Sequence, residues 1–235
     1  MSTAQPTSPD HTPGPSDRDE SPRILITAGP THEPVDRVRY LANRSSGRLG
    51  IALAEAAATR RWPTTLLLGP TPREPSDTTI QTLRFHTAAD LERLLSEHLP
   101  SADILVMAAA VADYRPRTKP GQTETKIRRT DAGLTLELEP VPDLLAGASS
   151  MRRPGQKLIG FALEPRDRLL DSARSKLARK RVDAIVANPL DTMDATSIEA
   201  TLVRRDGDEI TTPARMSKED FAPWLLDQIM LLPTD

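Results

Sequence analysis

The chain has 235 residues, a formal net charge of −2 and no cysteine. That length suits one α/β domain, and the charge balance removes any bulk attraction to nucleic acid. Without cysteine there is no disulfide, thiolate metal site or thiol nucleophile, in keeping with a reducing compartment.

Residues 1–22 are rich in Ser, Thr, Pro and Asp and lack the apolar run of a signal peptide. They are expected to form a disordered tail ahead of a single domain over 23–235. No apolar stretch approaches the ~20 residues needed to cross a bilayer, so a soluble, cytoplasmic protein without membrane partners is expected. Residues 23–29 read as a buried parallel strand closed by glycine. A long loop leads to a helix ending near Arg61, with Ser45 or Ser46 as its expected cap. Residues 64–68 make a second strand and 83–85 a short third. Residues 88–99 make a helix with Leu91, Leu94 and Leu95 on one face. Another buried strand, 103–107, runs into Ala108-Ala-Ala-Val-Ala112.

In the second half, alternation at 134–138 predicts a half-solvated strand, and Pro142 suits the first turn of a helix. Strands at 157–162 and 183–187 flank a charged helix over 166–180. A hairpin follows, 200–204 with 209–212 about Asp206-Gly-Asp208, then a helix capped by Ser217 and running to Leu232. This alternation predicts a Rossmann-like, doubly wound, mostly parallel sheet with helices on both faces and a small C-terminal β-hairpin.

Ligands of such sheets bind beyond the carboxyl ends of the strands, so the segments after strands carry the chemistry. Ser45, Ser46 and Gly47 at a helix start, with Arg39 upstream, suit an anion; they equally suit a plain capped helix. Asp113, Tyr114 and Arg115 follow the small residues after 107, which leave bare backbone for a ligand. Lys126, Arg128 and Arg129 are either a solvated edge or part of a flap over a site. Lys176 and Lys180 share a helix face and can meet one polyphosphate, or simply face solvent. Neither Gly-x-Gly-x-x-Gly nor the P-loop pattern is present, so any phosphate site is of another design. The missing glycine fingerprint argues against a dinucleotide oxidoreductase. The four histidines lack zinc-like spacing.

Together these segments closely resemble bacterial phosphopantothenoylcysteine synthetase. The resemblance runs over about 23–232. It is carried by Ile26 to Asp36 (Ile-Thr-Ala-Gly-Pro-Thr-His-Glu-Pro-Val-Asp) and Val38 to Gly47 (Val-Arg-Tyr-Leu-Ala-Asn-Arg-Ser-Ser-Gly), then by Ala109 to Arg115, Lys126-Ile127, Pro142-Asp143, Gly160 to Ala162 and Ala187-Asn188. It implies a homodimeric ligase of coenzyme A biosynthesis that joins 4′-phosphopantothenate to cysteine. CTP would be the co-substrate, with magnesium and an acyl-cytidylate intermediate.

By resemblance, Asn43 serves conversion of that intermediate and Lys126 stabilises charge on the α-phosphate. Arg39, Ser45, Ser46 and Gly47 surround the substrate, and Ala109 and Ala110 lend it main-chain contacts. Asp113, Lys126, Pro142, Asp143, Leu144, Leu145, Phe161, Lys176 and Lys180 take the nucleotide. No protein ligand for magnesium is assigned. Arg48-Leu49 stands where Lys-Met is common, Pro165 removes a backbone donor, and Ile198-Glu199 falls where an asparagine is expected, a change aimed at nucleotide contacts. The flavin-dependent decarboxylase domain often fused ahead of the synthetase is expected on a separate chain. The alternative is a non-catalytic sensing or scaffolding module that keeps the nucleotide pocket.

Overall fold

The computed structural model describes residues 21–118 and 121–233; the expected tail lies outside them but for its last two residues. Eight strands form the central sheet: β1 (Ile24–Ala28), β2 (Thr64–Leu68), β3 (Gln81–Arg84), β4 (Ile104–Met107), β5 (Lys157–Glu164), β6 (Ala184–Pro189), β7 (Thr201–Arg204) and β8 (Glu209–Thr211). Their spatial order is β3-β2-β1-β4-β5-β6-β7-β8. Strands β1 to β6 pair in parallel, whereas β7 and β8 join antiparallel at one edge. The 3-2-1-4-5-6 order is that of doubly wound nucleotide-binding sheets, and the expected hairpin extends it.

Five helices cover the faces: α1 (Arg48–Thr59), α2 (Ala88–His98), α3 (Leu144–Ser150), α4 (Leu169–Lys180) and α5 (Lys218–Met230). Because side chains alternate along a strand, Ile24, Ile26, Ile104 and Val106 meet α1 and α5, while Leu25, Leu105 and Leu158 meet α2, α3 and α4. Both faces are covered, which explains why β1 is apolar at nearly every position.

Local chemistry sets the helix starts. Thr87 and Asp90 form a reciprocal capping box for α2, Asp143 caps α3, and Ser217 caps α5 as expected. Four expectations are corrected. Neither Ser45 nor Ser46 caps α1: the N-cap is Gly47, whose φ of 71° places it in the left-handed region that favours glycine. Pro142 precedes the α3 cap rather than filling the first turn. The apolar alternation at 134–138 makes no continuous strand; only Leu138–Pro140 pairs, with Tyr114–Pro116. Helix α4 also starts at Leu169 rather than 166, after a turn closed from Arg168 N–H to the Pro165 carbonyl (3.1 Å).

Gly50 lies where α1 crosses β1. A Cβ there would sit 2.4 Å from the Ala28 Cβ, so the helix start is pressed onto the strand's carboxyl end. Two further ribbons lie outside the sheet, Glu33–Pro34 with Tyr40–Leu41 and Ser197–Ile198 with Met216–Ser217. Among the described residues no helix is long and apolar enough to cross a membrane.

Candidate functional site

The winding direction reverses between β1 and β4, and the chains leaving these strands stay zipped together past the sheet. Ala108 N–H donates to the Thr27 carbonyl (3.1 Å), Ala110 N–H to that of Gly29 (2.9 Å), and Thr31 N–H to that of Ala110 (3.2 Å). The hydroxyls of Thr27 and Thr31 accept from Ala109 and Ala112 N–H, each at 3.1 Å. Residues 108–112 are thereby fixed as a ledge of small side chains, with cavities on both sides.

The first cavity, of about 710 Å³, opens on the face covered by α3 and α4. Asp113, Pro142, Asp143, Leu144, Leu145, Phe161, Lys176 and Lys180 all line it, joined by Glu164, Ser172 and Arg179. Lys180 pairs with Asp143 at 3.0 Å. Burial alone would raise the Asp143 carboxyl, but Ala146 N–H and Lys180 hold it below its ordinary value. Lys176 donates to the Phe161 carbonyl. Burial, then the like charge of Lys180, pushes its amine below the ordinary lysine value. A half-desolvated ammonium beside two further cations is costly alone and is relieved by a polyanion.

The second cavity, of about 620 Å³, opens on the α1 and α5 face. Asn43, Ser45, Ser46, Gly47, Ala109 and Ala110 line it. Asn43 Nδ2 donates to the Val111 carbonyl at 2.9 Å, tying the loop before α1 to the ledge. Ala109, Val111, Asp113, Phe161, Glu164 and Lys176 touch both cavities and form their common wall. Two ligands seated on either side would meet across these residues.

Arg39 and Lys126 line neither cavity. The Arg39 guanidinium is taken by Asp36 and by the Ile127 carbonyl (2.7 Å), and Asp36 also accepts Ile127 N–H at 3.0 Å. Its place beside the substrate is therefore not seen within one chain; Arg39 anchors the segment that carries Lys126. Arg39 holds the Asp36 carboxyl well below the usual carboxylate range, helped by N–H donors from Val38, Ile127 and Arg39. Lys126 itself is exposed. His32 stacks on Tyr40 with ring centroids 3.7 Å apart, outside both cavities.

Ile198, one of the departures from the family pattern, lines the second cavity rather than the first, and Glu199 pairs with Arg166 at 3.3 Å. Arg48 and Lys218 also line the second cavity and escaped the sequence reading. The Lys218 signal was there in part: a lysine directly after a capping serine lies in a helix's first turn. What hides it is the docking of α5 on α1, which no local pattern announces.

A family profile described as DNA/pantothenate metabolism flavoprotein C-terminal domain matches residues 20–232. A cysteine/cysteine sulfinic acid decarboxylase from an unknown prokaryotic organism is 43% identical over 168 residues, 72% of this chain and 46% of that protein. The coenzyme A biosynthesis bifunctional protein CoaBC of Bacillus subtilis is 35% identical over 218 residues, 91% of this chain and 52% of that protein. The chain thus spans about half the length of these curated relatives. A crystal structure of the C-terminal domain of a CoaBC protein superposes with a TM-score of 0.75 at 35% identity, covering 89% of this chain and 94% of that one.

Proposed function

We propose, for a chain that belongs to the DNA/pantothenate metabolism flavoprotein C-terminal domain family, that it is a CTP-dependent phosphopantothenate–cysteine ligase acting in the cytoplasm on coenzyme A biosynthesis. The observation that carries this is the pair of cavities meeting at one shared wall, with a cationic cluster in one and Asn43 beside the wall in the other. CTP fits the first cavity, with its phosphates toward Lys176, Arg179 and Lys180. The acid, 4′-phosphopantothenate, fits the second.

The chemistry follows from that juxtaposition. A carboxylate oxygen attacks the α-phosphorus, the bond to the bridging oxygen breaks, and pyrophosphate leaves. The amine of cysteine then attacks the acyl carbon of the mixed anhydride, CMP leaves, and the amide forms with loss of a proton. No covalent enzyme intermediate is needed; the protein positions the reactants and stabilises charge. The Asn43 amide orients the anhydride carbonyl at the ledge. Among the described residues no group of three or more His, Asp or Glu side chains forms a metal cage, so magnesium would enter on the triphosphate.

Lys126 is exposed and lines neither cavity of its own chain, and in this reading its role on the α-phosphate is served in the cavity of a second copy of the chain. Exposed Val38, Tyr40, Tyr114 and Leu138 lie on or beside the ribbons next to the segment that Arg39 holds, as a homodimer contact would require. A flavin-dependent decarboxylase would act on the amide product.

The test is purified protein with 4′-phosphopantothenate, cysteine and CTP. Release of pyrophosphate matched by amide product supports the ligase. Tight CTP binding with neither product supports a sensing module instead.

A further inference from the structure

The shared wall carries two acids, Asp113 and Glu164, and the ligase reading employs only the first. Glu164 ends β5, so it stands at the carboxyl edge of the sheet, where ligands of this fold bind. It is half-buried and opens on both cavities, whereas Asp113 is exposed. Ser172 Oγ of α4 donates to Glu164 Oε1 at 3.0 Å and fixes the direction of the carboxylate. Among the described residues Glu164 makes no ion pair, although Asp143 of the first cavity is matched by Lys180. Its charge reaches Lys176 only through space, opposing the burial and the Lys180 charge that depress that amine. A carboxylate left unmatched beside a polyphosphate seat repels the phosphates, so it calls for a cationic ligand of its own. Two cations come to such a site. Magnesium travels on the triphosphate, whose charge Lys176, Arg179 and Lys180 already offset. The other is the amine of the second substrate, which arrives as an ammonium. Those three side chains turn it away, yet it must reach the acyl carbon at the wall. An acid open to both compartments supplies the attraction that is otherwise missing there.

We propose that Glu164 is the seat of the amino group of cysteine, drawing the ammonium to the shared wall and holding its nitrogen beside the acyl carbon. This rests on the ligase reading for the identity of the amine. Attack follows once one ammonium proton has passed to water. Ser172 is a positioning residue, acting only through the carboxylate that it aims.

Glu164→Gln removes the charge at constant shape and can still accept from Ser172, so it should fold. Pyrophosphate release from CTP and 4′-phosphopantothenate, measured in a single turnover without cysteine, should keep its parental rate. The KM for cysteine should rise roughly 10–100-fold, as for loss of a charge-assisted hydrogen bond, with the KM for CTP little changed. Cysteamine, which keeps the ammonium and lacks the carboxylate, should suffer by the same factor. Hydroxylamine, largely uncharged at neutral pH, should trap the acyl-cytidylate equally well in both proteins. Ser172→Ala, which frees the carboxylate without removing its charge, should lose less than Glu164→Gln. Slowed pyrophosphate release would assign Glu164 to the magnesium triphosphate and overturn the proposal. An unchanged KM for cysteine, or an equal loss with hydroxylamine, would overturn it too. A parent chain that forms no amide sinks the ligase reading and the proposal with it, so the parent alone tells the two failures apart.

Discussion

Gly50→Ala offers a sharp check on how α1 is braced. The new Cβ would lie 2.4 Å from the Ala28 Cβ and 3.1 Å from both the Ala28 Cα and the Thr27 carbonyl oxygen. Carbon atoms rest at about 3.5–4.0 Å, so helix and strand must part by roughly 1 Å. Ala28 has no rotamer with which to yield. Overpacking of this kind costs about 1–3 kcal/mol, and the better helix propensity of alanine returns about 1 kcal/mol. The net loss of stability is thus about 0–2 kcal/mol. The catalytic loss is larger, because Ser46, Gly47 and Arg48 move with the helix start, and a displacement near 1 Å can cost about 100-fold in rate. Urea denaturation and the amide-forming assay measure the two sides. A variant that is about 1 kcal/mol more stable, as an unobstructed glycine-to-alanine change would be, and fully active would refute the bracing of α1 against β1.

Asn43→Ala should accumulate acyl-cytidylate, whereas Lys126→Ala should block its formation; rapid quench with radiolabelled CTP separates them, and equal small effects would contradict both roles. If Lys126 serves the partner's cavity, mixing and re-equilibrating these two inactive variants should restore about a quarter of parental sites, since half the dimers are hybrids with one intact site. No recovery would place Lys126 in its own chain's cavity. Lys176 has its pKa lowered by burial and then by Lys180, so it loses its charge at a lower pH than an ordinary lysine. CTP affinity should therefore weaken as pH rises toward 10.5, while Lys176→Arg, which stays charged, should flatten that profile in titration calorimetry. Asp36 has a depressed pKa, so its contribution is complete above its ordinary value of 3.8 and is lost as pH falls through the lower native value. Asp36→Asn should accordingly speed hydrogen exchange at the Ile127 amide at neutral pH, and the parent chain should show the same release only in acid.

Most of the sheet was legible because fully buried strands announce themselves: Ile24 to Ala28 and Ile104 to Met107 are apolar on both faces, and the antiparallel edge is marked by the turn at Asp206 to Asp208. Parts of both cavity linings could be named: Ser45 to Gly47 and Asp113 from segments that follow strands, Pro142 to Leu145 and Phe161 only by resemblance. What failed is what depends on distant packing. The serines before α1 satisfy cap statistics, but a tight junction with Thr71 and Gly29 demands positive φ and hands the cap to Gly47. Leu134 to Leu138 alternates like a strand, yet its partner is only the three residues Tyr114–Pro116, so most of it stays unpaired. Arg39 read as a substrate cation because nothing local reveals that Asp36, three residues earlier, already claims it.

The wall between the two cavities has an implication for drug resistance. Its ledge is alanine and valine main chain, which no codon change can delete, while Asp113, Phe161, Glu164 and Lys176 of the same wall offer an inhibitor side chains that mutation can replace. An escape mutation on the ledge itself mainly adds bulk, and bulk obstructs the natural reactants as well. Resistance to such a compound should therefore arise at those four side chains, at the far ends of the compartments or through raised expression, seldom on the ledge.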